Sequence, residues 1–86
     1  MTTAAMWEAR AADGRAGELR DWVRERAVPA LRGAAGLERL EVFTAPGERV
    51  LLVTWWSDAP LPVPDPPGEL LGRPVHRWSF TSEHVE

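Results

Sequence analysis

The chain has 86 residues, a formal net charge of −3 and no cysteine. This length gives one domain with a small core, and the lack of cysteine excludes disulfides and thiolate metal sites. The acidic balance argues against nucleic acid and anionic membrane surfaces as partners, and two histidines are too few for a closed histidine metal site, so we expect no cofactor.

We expect a single domain over residues 1–86, with loose tails at residues 1–5 and 83–86. No stretch approaches the ~18 apolar residues of a membrane helix. Residues 1–6 lack the charged and apolar regions of a secretory signal. We therefore predict a cytoplasmic protein.

The first predicted elements are a strand and a helix. Residues 6–11 alternate between an apolar set and a set that contains Glu8 and Arg10, which predicts a strand. Residues 15–31 carry apolar side chains at three- and four-residue steps, which predicts a helix. Pro29 lacks a backbone N–H and its ring clashes with the carbonyl four residues earlier, so we expect the helix to bend near its end.

A β-hairpin is predicted next. Residues 37–44 alternate between apolar and polar side chains, and Pro46 and Gly47 indicate a tight turn. The run from Arg49 to Trp56 forms the second strand of the hairpin. Its side chains are apolar at nearly every position, which indicates burial on both faces.

The last third of the chain is predicted to be a crossover followed by a strand. Residues 57–74 contain six of the eight prolines, so at most one helical turn is expected there. Residues 75–82 alternate again, with His76, Trp78 and Phe80 on one face, which predicts a fourth strand.

The order β-α-β-β-(short turn)-β is that of a ferredoxin-like α+β fold whose second helix is eroded. Its antiparallel sheet has the spatial order 4-1-3-2, which makes the first and third strands central. One helix and a proline-rich crossover cover only one face of the third strand, so its other apolar face needs a partner. A second copy about a two-fold axis supplies that cover, and we predict a homodimer through the sheet face.

Three short motifs carry a family resemblance. They are Ala-Asp-Gly-Arg at residues 12–15, Gly-Leu-Glu-Arg-Leu-Glu-Val-Phe at residues 36–43, and Val-Leu-Leu-Val-Thr-Trp-Trp-Ser-Asp at residues 50–58. With their flanking residues they resemble the first half of the dimeric α+β barrel superfamily, and its antibiotic-biosynthesis monooxygenase-like branch most closely. The resemblance covers about residues 6–58.

The resemblance implies a cofactor-free monooxygenase, cyclase or isomerase of secondary metabolism that acts on a hydrophobic or aromatic small molecule. The family tryptophan that closes the third strand falls on Trp56, or on Trp55 with a one-residue shift. Oxygenases of this group place an asparagine four residues before it, where this chain has Leu52 or Leu51.

Three polar residues are candidates for catalysis. His76 fits a general base, because histidine as a residue type exchanges a proton near neutral pH; alternatively, it bonds a backbone carbonyl or packs beside Trp78. Glu8 and Arg10 share one face of a central strand and fit a polar pair that holds a substrate carbonyl or phenol. Alternatively, they form an ion pair at the dimer seam or with Arg77, because charges on a central strand are costly when unpaired.

Three tryptophans are candidates for ligand binding. Trp22, Trp56 and Trp78 fit the walls of an aromatic pocket between helix and sheet, or else the core and the dimer interface, where tryptophan is also common. Two hypotheses follow. In the first, the protein is a ligand-binding protein or a cofactor-free enzyme for an aromatic molecule. In the second, it is a non-catalytic dimerisation module with no small-molecule site.

Overall fold

The computed structural model describes residues 1–86 as an α+β domain. Four strands form its sheet: β1 (Thr3–Arg10), β2 (Leu37–Ala45), β3 (Arg49–Trp56) and β4 (His76–Thr81). The helical segment after β1 consists of α1 (Ala16–Trp22), a π-helical turn (Val23–Ala27) and α2 (Val28–Leu31), and a 3₁₀ turn (Gly68–Leu70) interrupts the crossover before β4.

The sheet is antiparallel with the order β2-β3-β1-β4. This confirms the predicted order with β1 and β3 in the centre, and the fold is ferredoxin-like. The strand bounds of β3 coincide with the prediction, and β2 ends one residue later than predicted. The two strands meet through a turn in which Gly47 and Glu48 both have positive φ, at 83° and 59°.

The π-helical turn lies directly before the proline that was expected to disturb the helix. Val28 donates its backbone N–H to the carbonyl of Val23, five residues earlier instead of four. Pro29 then stands in the first turn of α2, where its missing N–H costs little. The wider turn therefore lets the chain remain helical past Pro29.

The N-terminal tail is shorter than expected, because β1 begins at Thr3 rather than near residue 6. Thr3 pairs with Trp56 on one side and with Thr81 on the other. The backbone N–H of Ser82 also donates to the carbonyl of Thr2, at 2.8 Å. Pairing with two neighbouring strands orders residues 3–5, which the sequence pattern alone did not indicate.

The two faces of the sheet differ in what covers them. The inner face packs against the helical segment and the crossover, and it carries Trp7, Ala9, Val50, Leu52, Thr54 and Trp56, all buried. The outer face carries the alternate residues of each strand and has no element of this chain over it. Phe43, Trp78 and Phe80 on that face are 40%, 44% and 52% exposed.

The proline-rich crossover occupies the inner face beside the helical segment. Val63 and Leu70 are buried in the same core as the helix. Leu71 bridges to Ala11, and the N–H of Gly72 donates to the carbonyl of Arg10 at 2.8 Å. The crossover is thus held to the end of β1 by backbone hydrogen bonds, in the place where a ferredoxin-like fold usually has its second helix.

Candidate functional site

A cavity of about 280 Å³ lies between the sheet and the crossover. The strands line it with Ala5, Met6, Trp7, Thr54, Arg77, Trp78 and Ser79, and the crossover lines it with Pro60, Leu61, Pro62 and Val63. Its wall is mostly apolar, with one guanidinium and two hydroxyl groups. This composition is typical of a site for a small organic molecule.

Trp7 is the largest buried side chain in the cavity wall, with 2% of its surface exposed. Its ring stacks on Trp22 of α1, with centroids 6.1 Å apart and planes inclined by 29°. The indole Nε1 of Trp7 has no hydrogen-bond partner. The helix therefore holds the ring by apolar stacking and leaves its polar atom unsatisfied.

Thr54 lies beside Trp7 in the wall and is 1% exposed. Its Oγ1 accepts a hydrogen bond of 2.7 Å from Nε1 of Trp56 and donates to the carbonyl of Ala5 at 3.4 Å. Trp56 itself is fully buried behind the wall. The hydroxyl of Thr54 thus uses both its donor and an acceptor site in hydrogen bonds within the protein.

An ion pair fastens the crossover to the edge strand. Arg77 of β4 donates to Oδ1 of Asp65 at 2.6 Å. Both side chains are substantially exposed, so the pair contributes little stability by itself. Its position matters more, because Arg77 lines the cavity and Asp65 follows the segment 60–63 that forms the opposite wall.

A second polar cluster lies on the outer face, around Glu8. The carboxylate of Glu8 accepts a hydrogen bond from Nη2 of Arg73. Nη1 of Arg49 lies 3.6 Å from its Oε2, and Nδ1 of His76 lies 3.7 Å from its Oε1. The side chain of Glu8 is only 15% exposed, so three basic groups surround one mostly buried carboxylate.

Comparison with solved structures gives the fold. The structure of Rv0793 from Mycobacterium tuberculosis superposes on this chain with a TM-score of 0.75 and 18% sequence identity, covering 99% of this chain and 98% of that one. The two chains share one fold. At this identity the likeness extends to the architecture and not to an activity. No protein-family model and no curated protein matches the sequence.

The predicted catalytic residues lie outside the cavity. Glu8 and His76 come together on the outer face, and the ring of His76 meets Trp78 edge-on with centroids 5.6 Å apart. Arg10 is exposed at the end of β1 and forms no ion pair with Glu8, whose partners are Arg49, Arg73 and His76. The alternative pairing with Arg77 is also absent, because Arg77 binds Asp65.

Of the three tryptophans predicted to bind a ligand, Trp78 lines the cavity. Trp22 and Trp56 do not line the cavity but contact residues that do: Trp22 stacks on Trp7, and Trp56 donates a hydrogen bond to Thr54. The sequence patterns did not single out Trp7 itself, although its alternation with Glu8 placed it on the apolar face of β1. A buried tryptophan flanked on its own face only by Ala5 and Ala9 is the signal that could have found it.

The structure contains no group of three or more histidine, cysteine, aspartate or glutamate side chains arranged to hold a metal ion. None of its helices has the length and apolar character needed to span a membrane.

Proposed function

We propose that the protein binds a small apolar molecule, of the size of a one- or two-ring aromatic compound, in the cavity beneath the proline-rich crossover. The observation that carries the proposal is the cavity itself: about 280 Å³ of space with an aromatic and aliphatic wall in a domain of only 86 residues. A small domain gains stability from filling its interior, and space left open beside the buried ring of Trp7 favours a ligand.

The proposed function is binding. The polar side chains of the wall are Thr54, Arg77 and Ser79, and none of them is an ordinary general base at neutral pH. Glu8 and His76, which have that chemistry, do not line the cavity. The cofactor-free oxygenase or cyclase activity that the family resemblance implies therefore stays a prediction.

The test uses a residue that can fill the cavity without disturbing the core. Ser79 is exposed on the edge strand β4 and lines the cavity, so Ser79→Phe places a ring in the space. Thr81→Phe, two residues along the same strand face, adds the same ring outside the wall and serves as the matched control. Calorimetric titration with tetralin measures binding to the native protein and to each variant.

We expect Ser79→Phe to weaken tetralin binding at least tenfold and Thr81→Phe to leave it within about twofold, because only the first ring competes for the same volume. Absence of binding to the native protein would refute the proposal. Equal affinities of the two variants would also refute it, since the ligand would then occupy another surface.

We further propose that the outer face pairs with a second copy of the chain. A depression of about 430 Å³ on this face is lined by six apolar residues and one threonine: Met6, Phe43, Ala45, Leu51, Val53, Trp55 and Thr44. We call the five largest of them, Met6, Phe43, Leu51, Val53 and Trp55, the outer patch. A patch of this kind is costly to leave in water.

Two features favour a second copy as the occupant of the outer patch. Charged groups of both signs border it, with Glu8 and Arg49 on one side and Arg39 and Glu41 on the other. A two-fold axis can bring such a border against itself with opposite charges facing. A single domain of this size without disulfides is also only marginally stable, and oligomerisation relieves that.

The second candidate function, a dimerisation module, rests on this proposal. Sedimentation equilibrium tests it. Leu51→Glu buries a carboxylate in the outer patch and is expected to give monomers at micromolar concentration. Leu61→Glu places the same charge on a side chain that is 48% exposed and outside the patch, and is expected to remain dimeric. A monomeric native protein would contradict the proposal.

A further inference from the structure

Four basic side chains lie around Glu8 at one end of the outer face. Arg73 donates a hydrogen bond to the carboxylate of Glu8, while Arg49 and His76 approach it to 3.6 Å and 3.7 Å. Arg10 is the register partner of Arg49 in the pairing of β1 with β3, and the alternation of each strand places both on this face. We call Arg10, Arg49, Arg73 and His76 the basic cluster.

The carboxylate of Glu8 neutralises only part of the basic cluster. The three arginines are permanently charged, so two positive charges remain uncompensated even when the histidine is neutral. No other carboxylate of the chain forms an ion pair with any of the three, and Glu41, which also borders the outer patch, is bonded to Arg39 at 2.5 Å. This end of the outer face therefore carries excess positive charge in a chain whose net charge is −3.

Two of the arginines are held in place by contacts with the backbone. Nε of Arg49 donates to the carbonyl of Pro46 at 3.0 Å, within the hairpin turn. Arg73 directly follows Gly72, whose N–H donates to the carbonyl of Arg10 at 2.8 Å. Both guanidinium groups are also drawn to the same central carboxylate. Side chains that are already positioned lose little conformational freedom when they bind an ion.

We propose that the basic cluster is a binding site for a phosphate group, and that Glu8 acts in it as a positioning residue. A phosphate carries about 1.5 to 2 negative charges at neutral pH, which matches the uncompensated charge of the cluster. Planar guanidinium groups also bind its oxygens in pairs. The side chains of Arg49 and Arg73 are 42% and 33% exposed, so an ion from solution can reach them.

Calorimetric titration of the native protein with inorganic phosphate tests the site, with sodium chloride at the same ionic strength as the reference. We expect one phosphate to bind per chain. Arg73→Gln is expected to weaken the binding at least tenfold, because it removes both a charge and a pair of donors from the site. Arg20→Gln is the matched control: it removes the same charge from an exposed position on α1 and is expected to keep the affinity within about twofold.

Two results of this titration would overturn the proposal. One is the absence of saturable binding to the native protein, which is also the result expected if a carboxylate of a second copy already neutralises the cluster. The other is an equal affinity of Arg73→Gln and Arg20→Gln, since phosphate would then respond only to the net charge of the chain.

Arg10→Gln covers the case in which Arg73→Gln does not fold. Arg10 is exposed and has no ion-pair partner, so its replacement leaves no carboxylate stranded. This variant is expected to weaken phosphate binding at least threefold, because it removes one of the two uncompensated charges. An affinity that Arg10→Gln leaves unchanged would contradict the site.

A titration with phenyl phosphate distinguishes the free ion from a phosphate ester. Leu51 is the register partner of Glu8, so apolar surface lies directly beside the basic cluster. Tighter binding of phenyl phosphate than of inorganic phosphate would assign the site to an ester whose organic part lies on that surface, and equal or weaker binding would assign it to the free ion. The cavity beneath the crossover lies on the other face, so a failure of the phosphate site leaves the proposed binding function in place.

Discussion

Removing the hydroxyl group of Thr54 tests how much the buried hydrogen bond to Trp56 contributes to stability. Thr54→Val keeps the shape of the side chain and deletes the acceptor of the 2.7 Å bond from Nε1 of Trp56. Both residues are at most 1% exposed, so water cannot replace the lost partner. An unsatisfied buried donor costs about 1–3 kcal/mol, which lowers the melting temperature of a domain of this size by roughly 4–20 °C.

The assay is thermal unfolding followed by far-ultraviolet circular dichroism at fixed protein concentration, since any dimer makes the midpoint concentration-dependent. Thr54→Ser keeps the acceptor and is expected to lose less stability than Thr54→Val. In a Trp56→Phe background the Thr54→Val change is expected to cost much less, because no indole N–H remains to be stranded. An equal cost of Thr54→Val with and without the indole would refute the hydrogen-bond argument.

Two further predictions concern Gly72 in the crossover and the ion pair between Arg15 and Glu18 at the start of the helical segment. Gly72→Ala is expected to lower the free energy of unfolding by about 1–3 kcal/mol in the same assay, because the added Cβ lies 2.9 Å from the carbonyl oxygen of Ala11. Gly68→Ala is the control, because no atom lies within 4 Å of a Cβ there, and its free energy of unfolding should stay close to that of the native protein. The Arg15 guanidinium, hydrogen-bonded to Glu18, holds the pKa of the Glu18 carboxyl below its ordinary value. The small stabilisation from this pair is therefore present above the pKa of Glu18 in the unfolded chain and is lost as the pH falls through its pKa in the folded protein. A carbon-detected NMR titration should show the titration midpoint of Glu18 rising in Arg15→Gln, and an unchanged midpoint would contradict the pairing.

Only part of the candidate site could be predicted from the sequence. Glu8 drew attention because a charge on a central strand needs a partner, and it has partners. They are Arg49, Arg73 and His76, however, and none of the three was predicted as a partner of Glu8. Arg49 reaches Glu8 through the register of β3 on β1, and Arg73 through the path of the crossover. Both depend on pairing between segments far apart in the chain, which local periodicity does not encode.

The cavity could not be predicted from the residue patterns either. Residues 57–74 were predicted as a crossover against the sheet, and Val63 and Leu70 of this segment are buried in the core. Whether such a segment fills the space of a missing helix or leaves part of it open depends on how prolines, which fix φ but provide little bulk, pack against tryptophans on the strands. Side-chain volume and position decide that outcome together.

The sequence by itself determined the four strands, the helical segment and the two-sided apolar character of Arg49–Trp56, because alternation and turn residues act over a few neighbouring positions. The order of the strands in the sheet followed from matching the order of the elements to the ferredoxin-like fold. Tertiary structure alone decided which tryptophan faces the cavity and which polar groups are left without partners. Trp7 and Trp56 look alike as buried strand residues. Only the packed fold sets one of them in the wall of an open space and the other behind it.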